Sequence, residues 1–222
     1  WQTSPDHNVF PLNAKAFAEV NTRLFKALET VGHDVMDVLG LFLNDEQGLL
    51  KRYVYSGGKG SPAHMMRAIH YPSLNEAQRE NVRYIETNGK KEWVRTGEHR
   101  DLSVFTLLPE STLSGLQLLP NTGGNKTDTV KEAMDPGNKW LDVFAQDGYL
   151  ILNSGDTLKY MTEGLKNEKG ESLAIPSTWH RVIGDHQLVD FDRFSMPFFF
   201  NGNWFNTMPN LATGQPVVNT DP

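Results

Sequence analysis

A mainly β fold with a long helix on its N-terminal side is predicted by three features of this 222-residue sequence. A run with helical apolar spacing occupies the first fifth of the chain. Short apolar segments follow it at regular intervals. Clusters of Gly, Pro, Asn and Asp separate those segments, as the turns of an all-β sandwich or barrel would.

The helix is predicted from 13 to about 44. Phe17, Val20, Leu24 and Leu28, then Val31, Val35, Leu39 and Phe42, recur at spacings of three and four. Gly32 is expected to weaken or slightly break this run. The polar face carries acidic as well as basic residues, which disfavours a helix lying on a membrane. Asp45 is expected to cap a short following helix. The glycine-rich stretch 56–62 lacks the Gly-Lys-Ser/Thr ending of a phosphate-binding P-loop and reads as a connector. Strands are expected at 65–71, 93–96, 103–108, 115–119, 140–143, 149–153, 181–183 and 194–200. The polar segment 121–138 reads as a long insertion between strands. The expected organisation is an N-terminal helical segment, residues 1–62, packed on a β core, residues 63–222, as one structural unit.

Composition narrows the function. Hydrophobic residues make up 38% and charged residues 22%, an ordinary folded balance. A formal net charge of −6, with no basic block, argues against a nucleic-acid partner. The chain has no cysteine, so any metal must be held by His, Asp or Glu. No apolar stretch is long enough to span a bilayer, and no basic leader or secretory apolar region is present. The sequence opens at Trp1 rather than Met, so a leading segment is expected to have been removed or left out. A cytoplasmic location is the default expectation.

Among the seven histidines, only His99 has an aspartate two residues on, Asp101. On a strand the two side chains would share a face and could meet one ion. Composition alone produces roughly 0.4 such pairs, so the pair needs company. His180, at the entrance to a later strand, could complete a two-histidine, one-carboxylate set. That set leaves open coordination positions and suits non-haem Fe(II), with zinc as the rival metal. Thirteen residues further on, Arg193 and Ser195 should share a strand face while Phe194 points away. A guanidinium beside a hydroxyl is suited to gripping a carboxylate. The alternative partner for Arg193 is an internal Asp or Glu. If Arg193 faces inward, Ser195, Pro197 and Phe199 should follow it, leaving Phe198 and Phe200 to the structural core. The same alternation points Arg100 and Trp179 away from the metal.

Six blocks then occur in a telling order: Gly97-Glu98-His99-Arg100-Asp101, Gly115-Leu116-Gln117, Trp140-Leu141-Asp142-Val143, Asn153-Ser154-Gly155-Asp156, Ser177-Thr178-Trp179-His180-Arg181-Val182 and Arg193-Phe194-Ser195-Met196-Pro197-Phe198-Phe199. Together they resemble the isopenicillin N synthase-like branch of the 2-oxoglutarate/Fe(II) dioxygenases, closely over 63–203. The resemblance implies a double-stranded β-helix (jelly roll) with the long helix and further helical segments against its N-terminal side. It implies that His99, Asp101 and His180 bind Fe(II), and that Arg193 and Ser195 hold the distal carboxylate of 2-oxoglutarate. Tyr71, in Ile69-His70-Tyr71-Pro72, matches a tyrosine the family places near that carboxylate, although Ile69 stands where plant-type members carry Asn. Family members usually begin with a further αβ segment, which this sequence lacks, so the substrate entrance is expected to be only partly represented.

The activity implied is an O₂-dependent oxidation of a small-molecule substrate, with 2-oxoglutarate as cosubstrate. Two alternatives stay open. One is an iron oxidase of the isopenicillin N synthase type, whose Arg-x-Ser pair holds a substrate carboxylate instead. The other is a non-catalytic jelly-roll binding module. Segments 121–138 and the tail after 203 are candidates for closing over substrate.

Overall fold

A computed structural model describes residues 10, 13–55, 63–87, 89–120, 129–143, 146–203 and 206–217. The expected connector at 56–62 and the opening stretch of the 121–138 insertion, 121–128, lie outside these residues.

Helix α1 (Lys15–Phe42) is followed by α2 (Leu49–Val54). Asp45 stands before α2 and accepts hydrogen bonds from the Leu49 and Leu50 amides at 2.9 and 2.8 Å, although the residue at the helix boundary is Gly48. The β core comprises β1 (Met65–Met66), β2 (Ile69–Tyr71), β3 (Tyr84–Thr87), β4 (Lys90–His99), β5 (Phe105–Leu108), β6 (Leu116–Leu119), β7 (Leu141–Asp142), β8 (Ile151–Ser154), β9 (Trp179–Gly184), β10 (Arg193–Ser195) and β11 (Phe198–Phe200). Three short helices interrupt it: α3 (Glu76–Asn81), α4 (Val130–Ala133) and α5 (Asp156–Thr162). None of these three, nor β3, stands out in the apolar pattern. Capping boxes start α3 (Asn75 with Gln78) and α4 (Thr129 with Glu132), so local polar bonds rather than an amphipathic stripe specify them.

All strand pairs are antiparallel. One sheet runs β1-β11-β5-β8, a second runs β3-β4-β9-β6-β7, and β10 pairs with β2. This is the mainly β, jelly-roll arrangement expected, with the long helix outside it. The four-stranded sheet lies between two different surroundings. Phe105, Leu107, Phe198 and Phe200 are fully buried from one face and share a core with Leu28 and Met36 of α1. Met65, Thr106, Leu108, Pro197 and Phe199, from the alternate positions, line a cavity. The strand phase inferred from Arg193 therefore holds through Phe200.

Helix α1 does not break at Gly32. A side-chain carbon there would lie 2.3 Å from Cδ2 of the Phe200 ring, so the glycine lets the helix settle directly on β11. Gly32→Ala should push the helix off the sheet and cost about 1–3 kcal/mol in denaturant unfolding. An unchanged midpoint would mean that the contact is not tight.

His64, beside that core, is 1% exposed and stacks on Phe200 at 4.1 Å. Its Nδ1 accepts the Asn201 amide at 3.1 Å. Burial, assisted by the neighbouring His33, depresses its pKa to about 3. Between pH 6.5 and about 3 the unfolded chain binds a proton that the native state refuses, so stability falls as pH drops through this window. The melting temperature should therefore fall less steeply with acid in His64→Asn, which keeps an acceptor for Asn201 but does not titrate. Equal slopes in the two proteins would assign the acid sensitivity elsewhere.

Candidate metal centre

His99 ends β4 and His180 lies in β9, and the two are paired directly across the strands. Their rings sit 4.1 Å apart between centroids. The register reaches this pairing through two irregularities in β4, between Val94 and Thr96 and between Thr96 and His99. Such bulges re-aim side chains next to functional sites. The neighbouring residues on the opposite face hold the strands in that register. Arg181 Nη1 donates to Glu98 Oε1 at 3.1 Å, Arg181 Nε donates to Gln117 Oε1 at 2.8 Å, and Gln117 Nε2 donates to Asp142 Oδ1 at 2.9 Å. Arg83 Nη2 donates to the other Glu98 oxygen at 2.5 Å. Burial alone would raise the Glu98 pKa, but the bonds from Arg83 and Arg181 hold it below its usual value. A polar ladder thus crosses β4, β9, β6 and β7 on their outer face.

Asp101 arrives differently from the expectation that it shares a strand with His99. β4 stops at His99, and Asp101 lies in the turn that follows. Its carbonyl accepts the Asp156 amide at 2.8 Å, which ties the turn to the start of α5. Gly155 makes this approach possible, because a side-chain carbon there would lie 2.0 Å from the Ser103 carbonyl oxygen.

The three side chains converge. Asp101 Oδ1 lies 3.6 Å from His180 Nε2 and 3.9 Å from His99 Nε2. Each imidazole is oriented from behind: His99 Nδ1 contacts the Gly97 carbonyl at 2.8 Å, and His180 Nδ1 contacts the Thr178 carbonyl at 3.1 Å. A carbonyl only accepts, so Nδ1 carries the hydrogen and Nε2 keeps its lone pair facing Asp101. Burial first, and His99 second, depress the His180 pKa against the pull of Asp101, which favours the neutral ring. The other Asp101 oxygen, Oδ2, accepts from Thr106 Oγ1 at 2.6 Å and from Asn153 Nδ2 at 3.1 Å. Oδ1 is left for the histidines. Among the described residues Asp101 has no Lys or Arg partner, so this buried carboxylate faces two imidazoles whose lone pairs it cannot use. A divalent cation would satisfy all three groups.

A second cluster, Glu29, His33 and His64, also brings three donor residues together. There the Asn201 amide already occupies the His64 Nδ1 lone pair, so Nε2 of the neutral ring carries hydrogen and offers no electron pair.

Arg193 and Ser195 are buried while Phe194 is exposed, as the alternation requires. Arg193 is paired across the strands with Tyr71, and its guanidinium carbon lies 5.2 Å from the centre of that ring. The Tyr71 hydroxyl accepts from Thr96 Oγ1 at 3.1 Å. Arg193 Nε donates to the Leu113 and Ser114 carbonyls at 3.0 and 3.1 Å, and Nη2 donates to Ser111 Oγ at 2.9 Å. Nη1 is buried with no partner. Burial, with some help from Arg95, lowers the Arg193 pKa, and Tyr71 opposes the shift. Among the described residues, no Asp or Glu pairs with Arg193, so the internal salt bridge considered from sequence does not form. An anion is the missing partner.

All six candidate residues, His99, Asp101, His180, Arg193, Ser195 and Tyr71, line one cavity of about 870 Å³. Arg100 also borders it, contrary to the simple alternation, but its guanidinium is occupied by Asp156 at 3.0 Å and lies 4.9 Å from the Trp179 ring centre. Thr106 and Asn153 escaped the sequence reading. Their signal is a polar residue at a core-facing position in an otherwise apolar strand. Asn206, in the tail after 203, lines the cavity too, and its Nδ2 donates to the Arg52 and Tyr53 carbonyls.

Residues 62–202 match the model of the 2OG-Fe(II) oxygenase superfamily. The chain is 30% identical over 195 residues to a "probable iron/ascorbate oxidoreductase" of Dictyostelium discoideum, covering 86% of this chain and 45% of that one. It is 29% identical over 191 residues to a 2-oxoglutarate-Fe(II) type oxidoreductase of Emericella nidulans, covering 86% and 43% respectively. The chain thus spans less than half the length of these relatives. Neurospora crassa T7H, crystallised with α-ketoglutarate and thymine, shares the fold with a TM-score of 0.66, at 21% identity over 94% of this chain and 54% of that one.

If Thr106 aims Asp101, then Thr106→Val should weaken binding of Fe(II) or Zn(II) roughly tenfold or more while the fold is kept. Competition against a chromophoric chelator, with circular dichroism as the folding check, measures this. Unchanged affinity would remove Thr106 from the role.

Proposed function

The chain belongs to the 2OG-Fe(II) oxygenase superfamily, and from that membership we propose that it couples oxidative decarboxylation of 2-oxoglutarate to C–H oxidation of a small molecule. Hydroxylation is the first outcome expected. The observation that carries the proposal is one cavity holding both a convergent His/Asp/His set and a buried arginine nitrogen without a partner.

In this reading His99, Asp101 and His180 hold Fe(II). Arg193 and Ser195 hold the distal carboxylate of 2-oxoglutarate, with Tyr71 beside them. Iron, O₂ and the keto acid together supply the oxidising power. The chain supplies geometry. The Gly97 and Thr178 carbonyls fix both imidazoles, and Thr106 with Asn153 turns Asp101 Oδ1 toward them. Arg193 is held by Leu113, Ser114 and Ser111, so its free Nη1 is already in place for an anion. Ile69, Leu116, Leu118 and Val182 line the same cavity and exclude water from it.

The helical segment, residues 1–62, and the β core, residues 63–222, act as one structural unit in this proposal, supported by the shared core of α1, β5 and β11. Among the described residues no helix is long and apolar enough to cross a membrane. A cytoplasmic site of action and a small-molecule substrate complete the reading, with no role for nucleic acid.

Anaerobic titration of the Fe(II)-loaded protein with 2-oxoglutarate should produce a visible metal-to-ligand charge-transfer band, and admitting O₂ should yield succinate. Arg193→Gln should weaken 2-oxoglutarate binding roughly tenfold or more while leaving iron content unchanged. Absence of both the band and succinate would falsify the proposal.

A further inference from the structure

We propose that Arg67 is the anchor for a carboxylate on the primary substrate, which makes that substrate a small monoanionic acid with an apolar body. The inference rests on the oxygenase reading above for what occupies the rest of the cavity.

The cavity is cationic although the chain as a whole carries −6. Its charged lining consists of Arg67, Arg100 and Arg193 with Asp101, and the two histidines of the triad, among the described residues. Three of these already have a counterpart. Arg100 is neutralised by Asp156. Arg193 is assigned to the cosubstrate and Asp101 to the metal. Arg67 remains: its guanidinium has neither an ion-pair nor a hydrogen-bond partner among the described residues. Its carbon lies 5.5 Å from the centre of the Phe199 ring, which itself lines the cavity. The aromatic face thus positions the cation while leaving its donors free. Arg67 is exposed to solvent while it lines the cavity, so water solvates it in the free protein, and a substrate carboxylate that takes the place of that water gains a charge-assisted pair.

Strand geometry places this charge relative to the triad. Met65, Phe199, Thr106 and Asn153 form one row across β1, β11, β5 and β8. Thr106 and Asn153 of that row bind Asp101. Arg67 lies two residues beyond Met65, where its amide donates to the Pro197 carbonyl at 3.0 Å. Two strand spacings and two residues separate the Arg67 and Thr106 backbones by on the order of 12 Å. The Arg67 side chain bridges part of that span, because its guanidinium lies over Phe199, the residue paired with Thr106. Between the two ends, Met65, Leu108, Ile151, Pro197 and Phe199 offer apolar surface for the body of such an acid.

Matched ligands test this: 4-phenylbutyrate and 4-phenylbutanamide, titrated calorimetrically into the full chain under anaerobic conditions with Fe(II) and saturating 2-oxoglutarate. The acid should bind at least about tenfold more tightly than the amide, and Arg67→Gln should abolish that preference. Arg67→Lys should retain part of it. The 2-oxoglutarate dissociation constant, read from the charge-transfer band, should be the same in wild type and both variants. Equal binding of acid and amide, no binding of the acid, or a preference that survives Arg67→Gln would overturn the assignment. So would an acid that competes with 2-oxoglutarate and is lost on Arg193→Gln instead. Failure of the oxygenase reading is seen separately, as no charge-transfer band in the absence of any acid.

Discussion

The pairing of His99 with His180 across β4 and β9 is the constraint on which the rest of this molecule depends. Side chains alternate along a strand, so a slip of one residue would turn an imidazole out of the cavity. The residues that prevent a slip lie on the opposite face. Glu98 and Arg181 each precede or follow a histidine by one position, and their buried ion pair continues through Gln117 to Asp142. Burying two charges brings little net stability, because desolvation offsets the attraction. What a ladder with matched donors and acceptors does provide is a register in which every member is satisfied and its neighbours are not.

Asp101 couples that sheet to the other one. It follows directly from β4, yet its Oδ2 is held by Thr106 and Asn153 from β5 and β8 of the facing sheet. The cavity between the sheets therefore closes around a carboxylate that both share. The same four-stranded sheet carries aromatic rings on its other side, where Phe198 and Phe200 pack against α1 and Gly32 allows the closest contact. Helix packing on one side thus fixes the strand phase that turns Thr106, Phe199 and Pro197 inward on the other. The helix supports the wall opposite the triad through its packing on β5 and β11.

Legibility followed the range of the forces involved. The long helix is plain because eight apolar residues recur at its period, and most strands are plain because turn residues bound them. Strand β3 is not among those expected, however, and the runs 65–71 and 194–200 each divide into two strands of different sheets. Helices α3 and α4 escape because capping boxes, and not an apolar stripe, specify them. Arg193 and Ser195 are legible because period-two alternation and a family motif agree on their face, and Tyr71 is legible through the family motif alone. Thr106 and Asn153 are not. A single threonine in an apolar strand looks like tolerated variation until its partner, five residues away in a turn, is known.

From the sequence alone come the fold class, the metal-suited residue set, the inward phase of Arg193 through Phe199 and the absence of any cysteine ligand. These depend on composition, on local periodicity and on blocks whose order carries information. Only the tertiary structure decided that Asp101 reaches the histidines from a turn rather than from their strand. Only it revealed which oxygen of that carboxylate is left free, and which nitrogen of Arg193 lacks a partner. Those outcomes depend on distances between segments tens of residues apart, set by sheet register and helix packing, which no single stretch of sequence encodes. The three residues first singled out by spacing thus meet because two sheets and a polar ladder bring them together.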